Sequence, residues 1–389
     1  MVVGRFNADK TQLKVAAAQG ASETLLLRLD ALPPRCNDKA DASPKAVLRA
    51  LSQTMSEHFA FFKERRVDWA ASVEQANSRI TEASSDAELY DEIAKLLSRL
   101  NDPHVTLQAK IDGNDRLLVN GRGVTLTTLR NAFDAQTKTK SGTTFYRDWI
   151  AASQSAVNKQ LLGDKGKLAL RDTALWGVSV NPAGSVGYLS LTSLKDLTRK
   201  EKIDDDIAAV DDFLDTCIAA CAGCKAMILD LSQNRGGDDR VALAVAARFA
   251  DVPRRVYTKQ ATSKTSSADV QTVELTPSTK SRWMGNLILV TDSVTVSAAE
   301  ILTLAMRTLP NVQHVGQTTR GALSDALEKS LPNGWRFTLS NEIYRSADGE
   351  IFEARGITPA ELAPVFDVEN FFSGQAKFLA TVVSRVRAP

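Results

Sequence analysis

The sequence predicts an α/β protein with a helical domain ahead of its strand–helix core. From Trp176 onward, short apolar strands alternate with helices whose apolar residues recur every three or four positions. Residues 44–106 show helical periodicity only. Strands that alternate with helices form sheets covered by helical layers. The 389 residues also suffice for about two domains, at roughly 150 residues each.

The first part of the chain predicts residues 1–43 as short strands and residues 44–107 as a helical domain. Within this domain the apolar spacing predicts helices over 44–66 and 86–100. The second of these begins with a serine followed three residues later by a glutamate, which is the capping-box pattern.

The remaining chain divides into a connecting subdomain, residues 108–175, and an α/β core, residues 176–389. Within the connecting subdomain, the sequence predicts one helix, around 144–161. In the core, the predicted strands are 185–192, 225–231, 286–291, 311–318 and 334–346. The predicted helices of the core are 203–221, 239–250 and one that starts at Ser297.

Charge and hydropathy exclude several classes of protein. The 48 Lys and Arg nearly balance the 46 Asp and Glu, whereas a nucleic-acid or anionic-membrane binder needs a basic field. No apolar run approaches the roughly 18 residues that span a bilayer. The first residues contain no apolar stretch of signal-peptide length. The partners we expect are therefore neither nucleic acid nor a membrane; oligomeric state is left open.

The four cysteines predict neither a metal site nor a Cys221–Cys224 redox pair. Cys217 and Cys221 lie four residues apart on an apolar helix face, where a free thiol is a small buried hydrophobe. Cys224 is nearby, but the three histidines are scattered rather than at ligand spacing. We therefore expect no metal and no cofactor.

A candidate nucleophile lies where a buried strand turns into the helix that starts at Ser297. A serine at this position has its hydroxyl near free backbone N–H groups and the positive end of the helix dipole. That environment suits a nucleophile whose tetrahedral oxyanion must be stabilised. The structural alternative is that Ser297 is only a helix cap, because Ser297 and Glu300 have capping-box spacing.

Three other segments carry candidate chemistry. Gly236 and Gly237 follow a strand that ends in Asp230, and glycines let backbone amides approach a ligand closely. His104 lies just after a helix, where a histidine can act as a general base. Glu353 lies in a loop after a strand. The structural alternatives are a turn that needs positive φ, a satisfied structural histidine and a solvated loop.

Taken together and in order, these segments resemble one family, the tail-specific (C-terminal processing) proteases, with the tricorn protease core and the repeats of interphotoreceptor retinoid-binding protein. The matching segments are L-N-D-P-H (100–104), V-G-Y-L (186–189), D-L-S-Q-N-R-G-G (230–237), T-V-S-A-A-E (295–300), G-Q-T-T-R-G (316–321), L-P-N-G (331–334) and E-A-R-G-I-T-P (353–359).

The resemblance implies a crotonase-like layered core of ClpP/crotonase type and a serine endopeptidase that acts on peptides or proteins. It implies Ser297 as nucleophile, His104 as general base and Glu353 as the group that orients the imidazole. The amides of Ala298 and of Gly236 or Gly237 would hold the oxyanion. The family also favours a periplasmic or secreted location.

The sequence departs from the family pattern at several positions. Ala322 stands where the Ser–Lys members have their lysine, so the resemblance implies the histidine route of the tricorn-like members. Pro103 replaces the serine that precedes the histidine in those members. Ser232 and Ala360 replace an arginine and an aspartate. Residues 108–183 carry no carboxylate-binding G-L-G loop, so we expect no PDZ domain.

Two other functions remain open at this point. The first is a non-catalytic binding module for an apolar ligand or peptide on the same fold, as in the retinoid-binding relatives. The second is a hydrolase that uses Asp230 with Glu300 or Glu353, which requires two carboxyl groups at a separation of about 5–9 Å.

Overall fold

The computed structural model describes residues 3–16, 24–33, 36, 40–138, 144–181, 184–200, 202–264 and 268–386. Its strands are β1 Val3–Phe6, β2 Gln12–Ala16, β3 Thr24–Leu27, β4 Thr106–Ile111, β5 Asn114–Val119, β6 Lys167–Ala169, β7 Ala174–Asn181, β8 Gly184–Leu191, β9 Ala226–Asp230, β10 Arg254–Ala261, β11 Gln271–Leu275, β12 Asn286–Thr291, β13 Val312–Gly316, β14 Ala326–Ser330, β15 Arg336–Ser340, β16 Glu342–Ser346 and β17 Glu361–Leu362. Its helices are α1 Pro44–His58, α2 Trp69–Asn77, α3 Asp86–Ser98, α4 Val124–Thr137, α5 Phe145–Leu161, α6 Ile203–Ala220, α7 Asp239–Ala247, α8 Ala298–Arg307 and α9 Gly374–Arg385.

The chain forms two compact units. Unit 1 comprises Met1–Gly121, Thr258–Thr272 and Ser324–Arg345, and unit 2 comprises the rest. The predicted boundaries after residues 43, 107 and 175 differ from this division. Residues 108–121 join the N-terminal part, whereas residues 122–175 join the core. The physical reason is strand pairing over long sequence distance, since β15 pairs with β4 at Phe337 and Leu107.

Unit 1 packs the helices α1 to α3 with a four-stranded sheet in the order β14-β15-β4-β5. Its core includes Leu51 of α1, Ile93 of α3 and Phe337 of β15, all nearly inaccessible. The capping box that begins α3 is present, because the Ser85 Oγ accepts from the Glu88 N–H and the Glu88 carboxylate accepts from the Ser85 N–H. A separate antiparallel sheet has the order β1-β2-β3.

The predicted helix over 44–66 is wrong after His58, where α1 ends. Phe59 has an extended backbone, with φ −72° and ψ 121°, and the Ala60 N–H donates to the Ser340 carbonyl at 3.0 Å. The apolar spacing continued because the Phe59, Phe61 and Phe62 rings pack against one another in a turn. Similarly, the predicted strand 334–346 is two strands, β15 and β16, which belong to different sheets.

Unit 2 is built on a seven-stranded sheet in the order β17-β13-β12-β9-β8-β7-β6. The strands from β17 to β8 are parallel to one another, and β7 and β6 continue the sheet antiparallel. The α/β core is thus confirmed, and β9 and β12 are neighbours in one sheet. Tyr188, Ile228 and Val290 contribute to its buried core, with Trp149 of α5 and Leu379 of α9. In the described part of the chain, no helix is long and apolar enough to span a membrane.

Candidate active site

The carboxyl ends of three neighbouring parallel strands meet at one edge of the unit 2 sheet. Because β9, β12 and β13 are parallel, the loops that follow them lie together, which is where open α/β sheets carry their sites. The Val296 N–H donates to the Asn234 carbonyl at 3.2 Å, and the Arg320 N–H donates to the Thr295 carbonyl at 2.9 Å. Three loops distant in sequence are therefore joined by backbone hydrogen bonds.

Ser297 occupies a strained position in the middle of these loops. Its φ is 62° and its ψ is −132°, a region that residues with a Cβ rarely adopt. Such a conformation costs about 1–3 kcal/mol and persists only where the surroundings enforce it. The Ser297 N–H donates to the Ala322 carbonyl at 3.0 Å. Backbone strain of this kind is typical of sharp strand-to-helix turns that expose a serine hydroxyl.

Gly236 packs directly against this turn. A Cβ at Gly236 would lie 2.7 Å from the Ser297 Cβ and 2.7 Å from the Val296 carbonyl oxygen, so only glycine fits. The Gly236 N–H, however, donates to the Asn234 side-chain oxygen at 2.8 Å. Gly236 is therefore required for close approach rather than as a donor. Within the described residues, no group accepts from the N–H of Gly237 or of Ala298.

Glu300 fastens the turn at Ser297 to the loop after β13. Its carboxylate is fully buried and accepts from the Thr319 hydroxyl at 2.6 Å, the Gly321 N–H at 2.7 Å and the Ala322 N–H at 2.8 Å. It also accepts from the Ser297 N–H at 3.3 Å, as the capping-box reading requires. Burial raises the pKa of the Glu300 carboxyl, and these hydrogen bonds oppose the rise.

Glu353 is also buried and lies near the turn through the same loop. Its Oε2 accepts from the Leu323 N–H at 2.8 Å, and the following Ala354 N–H donates to the Gly321 carbonyl at 2.8 Å. Since Leu323 follows Ala322, whose carbonyl holds Ser297, one short segment connects both predicted site residues. The structure thus brings Ser297, Ala298, Gly236, Gly237 and Glu353 together in unit 2.

His104 belongs to unit 1, where its main chain is held firmly. The His104 N–H donates to the Asp102 Oδ1 at 2.9 Å, and its carbonyl accepts from the Thr338 hydroxyl at 2.6 Å. Asp102 is itself buried and pairs with Arg65 at 3.1 Å. The residue is half-buried, and its Nδ1 is buried. The L-N-D-P-H segment therefore uses its aspartate to fix the loop that carries the histidine.

Asp230 is a structural carboxylate rather than a free acid or base. It is buried and accepts from the Tyr188 hydroxyl at 2.9 Å, the Gln375 amide at 2.9 Å and the Ser232 hydroxyl at 2.7 Å. Burial raises the pKa of the Asp230 carboxyl. Because the oxygens of Asp230 and Glu300 are occupied by several donors each, neither suits the predicted carboxylate hydrolase.

The residues that sequence reasoning missed are the ones that hold the loops. Asn234 is fully buried; its side-chain N–H donates to the Leu191 carbonyl at 2.9 Å while its oxygen holds Gly236. The Thr295 hydroxyl donates to the Leu231 carbonyl at 2.8 Å. An Asn two residues before a Gly is a turn signal that could have identified Asn234. No local pattern points to the role of Thr295.

Asp292, five residues before Ser297, makes stability depend on pH. Burial raises the pKa of this carboxyl to about 7, although Thr125 and the Val294 N–H donate to it. A raised folded-state pKa means that the folded protein holds the Asp292 proton more tightly than the unfolded chain does. The contribution of Asp292 to the free energy of unfolding therefore falls as pH rises from about 4 to about 7. We expect Asp292→Asn to stabilise the protein at pH 8 and to have much less effect at pH 4.5, measured by urea unfolding.

The physical basis of this prediction is about 1.4 kcal/mol for each pKa unit, and an amide can keep the same contacts if the Thr125 hydroxyl accepts instead of donating. Asp367 is the matched control, because hydrogen bonds from Asn370 lower the pKa of its exposed carboxyl. Asp367→Asn should therefore not stabilise the protein at pH 8. Equal effects of Asp292→Asn at both pH values would contradict the prediction.

The part of the chain that contains the turn at Ser297 is similar to known peptidases. Residues 185–362 match the model of peptidase family S41. The carboxy-terminal processing protease CtpA of Bacillus subtilis (strain 168) is 30% identical over 185 residues, which are 47% of this chain and 36% of that protein. The chain thus matches little more than a third of the length of this curated relative.

Two solved structures share the fold. A candidate peptidase from Parabacteroides merdae ATCC 43184 has a TM-score of 0.69 at 21% identity and covers 90% of this chain and 98% of its own. Mature CPAF has a TM-score of 0.64 at 11% identity, with 88% of this chain and 97% of its own covered.

Proposed function

We propose that this chain is a serine endopeptidase of the tail-specific type, a proposal that the match of residues 185–362 to the model of peptidase family S41 supports. The single observation that carries the proposal is Ser297, a strained non-glycine residue at a strand-to-helix turn with a glycine packed against it. A helix cap alone needs no such strain, because an ordinary cap has an extended backbone, as Ser85 has before α3.

The proposed chemistry begins with attack of the Ser297 hydroxyl on the scissile carbonyl. His104 accepts the hydroxyl proton and later delivers it to the leaving amine. The amides of Ala298 and Gly237 donate to the oxyanion of the tetrahedral intermediate. Removing one donor of such a hole costs about 3–4 kcal/mol of transition-state stabilisation, which gives Gly237 a specific role.

We propose that Glu353 orients the His104 imidazole, directly or through a water. Its burial and its hydrogen bond to the Leu323 N–H hold the carboxylate in one position, as an orienting group requires. This arrangement would replace the serine that precedes the histidine in the tricorn-like members, where this chain has Pro103. Ala322 occupies the position of the lysine in the Ser–Lys members, which supports a histidine as the general base.

Two finer features of the fold are also proposals. The strand–helix layering of unit 2 supports a crotonase-like core. Residues 108–183 contain β4, β5, α4 and α5 as well as β6 and β7, and we propose that they form no PDZ domain. The non-catalytic binding module is less favoured, because backbone strain at Ser297 would then have no use.

Covalent labelling tests the proposed function most directly. A fluorophosphonate probe should react with the Ser297 Oγ, with fluoride as leaving group and the hydroxyl proton passed to the base. Intact-mass and peptide mass spectrometry should find one adduct, on Ser297. Ser297→Asn, which keeps a capping oxygen, should not be labelled. Absence of labelling in the folded wild type, together with absence of casein hydrolysis, would refute the proposal.

A further inference from the structure

Three arginines of unit 2 lie in segments that contact the turn at Ser297, called the nucleophile turn below, and the proposed chemistry does not use them. Arg122 precedes α4, Arg130 lies within α4, and Arg235 immediately precedes Gly236. Arg122 and Arg235 are exposed, and within the described residues neither forms an ion pair with an acid. We call these three residues the arginine cluster.

Arg235 is held beside the proposed oxyanion donors. Its guanidinium lies over the Tyr146 ring, 5.2 Å from the centroid, and the Tyr146 hydroxyl donates to the Gln233 carbonyl. The aromatic ring therefore fixes both the loop and the side chain. Because Gly236 contacts Ser297, the guanidinium of the preceding residue projects from the segment that borders the nucleophile.

The segment that carries Arg122 contacts the same turn, although it lies far from Arg235 in sequence. Gly123 has a φ of 84°, and a Cβ there would lie 2.5 Å from the Ser293 carbonyl oxygen and 3.5 Å from the Arg320 Cδ. The Thr125 N–H donates to the Ser293 Oγ at 2.9 Å. The residues that follow Arg122 are thus fastened to the turn four residues before Ser297, and Arg320 adds a further cation nearby.

The members of the cluster act on one another electrostatically. The pKa of the Arg122 guanidinium is lowered, first because neighbouring atoms desolvate this exposed side chain in part and then by the positive charges of Arg130 and Arg235. The acids near the turn do not offset this charge at the surface. Glu300 and Glu353 accept backbone N–H groups inside the protein, and Asp292 is buried with a pKa of about 7. Asp134 lies one turn after Arg130 on α4, and Asp238, three residues after Arg235, pairs with Arg240.

We propose that Arg122 and Arg235 bind a carboxylate of the peptide substrate beside the scissile bond. This inference rests on the proposed peptidase function. Guanidinium groups bind carboxylates through paired hydrogen bonds with defined geometry, and an anion between two of them removes their mutual repulsion. The carboxylate comes either from an acidic side chain near the cleaved bond or from the C-terminus of the substrate. Both sources present the same group to the arginines.

Four matched peptides separate the two sources. The starting sequence is taken from a casein cleavage site identified by mass spectrometry. One pair differs by Glu against Gln at a position flanking the scissile bond, and the other pair by a free C-terminal acid against its amide. We expect kcat/KM to be about tenfold higher for the charged member of at least one pair, since a charge-assisted hydrogen bond pair contributes on this scale. The pair that responds identifies the source.

Variants of the cluster then test the residues. In Arg235→Gln and Arg122→Gln, the ratio of kcat/KM for the charged peptide to that for the neutral peptide should fall towards one. Arg235→Lys should keep only part of the wild-type ratio, because an ammonium lacks the paired geometry. Arg147→Gln is the matched control: Arg147 is next to Tyr146 in sequence but pairs with Asp148 on the surface. It should keep the wild-type ratio.

The outcomes distinguish this inference from the proposed function. If the wild type cleaves none of the peptides and no casein, the peptidase proposal fails. If it cleaves charged and neutral members of both pairs equally well, the peptidase proposal stands and the carboxylate subsite is refuted. An unchanged ratio in both glutamine variants would equally refute the assignment of Arg122 and Arg235.

Discussion

Ser297→Gly is expected to abolish peptide hydrolysis while leaving the protein folded and at least as stable as Ser297→Ala. Glycine removes the attacking hydroxyl, and loss of a catalytic serine lowers kcat by about 10⁴- to 10⁶-fold. Glycine also adopts a φ of 62° without the cost that a Cβ imposes. Loss of activity in a variant with relieved strain cannot be attributed to unfolding. The measurements are kcat/KM on a cleaved peptide and the free energy of unfolding in urea.

Two further variants separate chemistry from helix capping. Ser297→Asn keeps a capping oxygen, and it should be as inactive as the glycine variant. Ser85→Ala is the matched control, because Ser85 caps α3 in an ordinary extended conformation, with φ −72°. Its loss should lower the free energy of unfolding by about 1 kcal/mol and leave hydrolysis intact. Retained activity in folded Ser297→Asn would mean that the serine is only a cap.

Local periodicity predicted most of the unit 2 core. The buried strand β12 begins and ends where the sequence indicated, and α6 and α8 begin within one residue of their predicted starts. Such segments are read well because apolar spacing and the capping box are local signals. The failure over 59–66 has the opposite cause: apolar rings at helical spacing were used in a turn, and the Ser340 carbonyl, far away in sequence, took the Ala60 N–H.

The site required information that no local pattern contains. The residue types of the turn indicated a nucleophile, but the positive φ of Ser297 depends on Gly236 and Ala322, which contact it from other segments of the chain. Sequence spacing could not show that the Gly236 N–H is already bonded to Asn234, which leaves Gly237 as the proposed donor. The division into units was also missed, because β4–β15 pairing joins residues more than 200 positions apart.

His104→Ala is expected to reduce kcat/KM by several orders of magnitude, through loss of the proton acceptor. The other two histidines are poor candidates for this role. Burial lowers the pKa of His314 to about 3, and its Nε2 is hydrogen bonded to the Thr291 hydroxyl at 2.8 Å. His58 lies at the end of α1 beside Glu57, and His58→Ala is the matched control that should keep full activity. Added imidazole should restore part of the activity of His104→Ala and none of that of Ser297→Ala.

The double variant decides whether the serine and the histidine act as one unit. If His104 serves only to deprotonate Ser297, its loss has no further effect on activity in a protein that already lacks the serine hydroxyl. The double variant Ser297→Ala with His104→Ala should therefore be about as inactive as either single variant, instead of showing the product of the two losses. Multiplied losses, or a His104→Ala variant that imidazole cannot restore although it folds normally, would assign His104 a structural role and leave the general base to be sought among other residues.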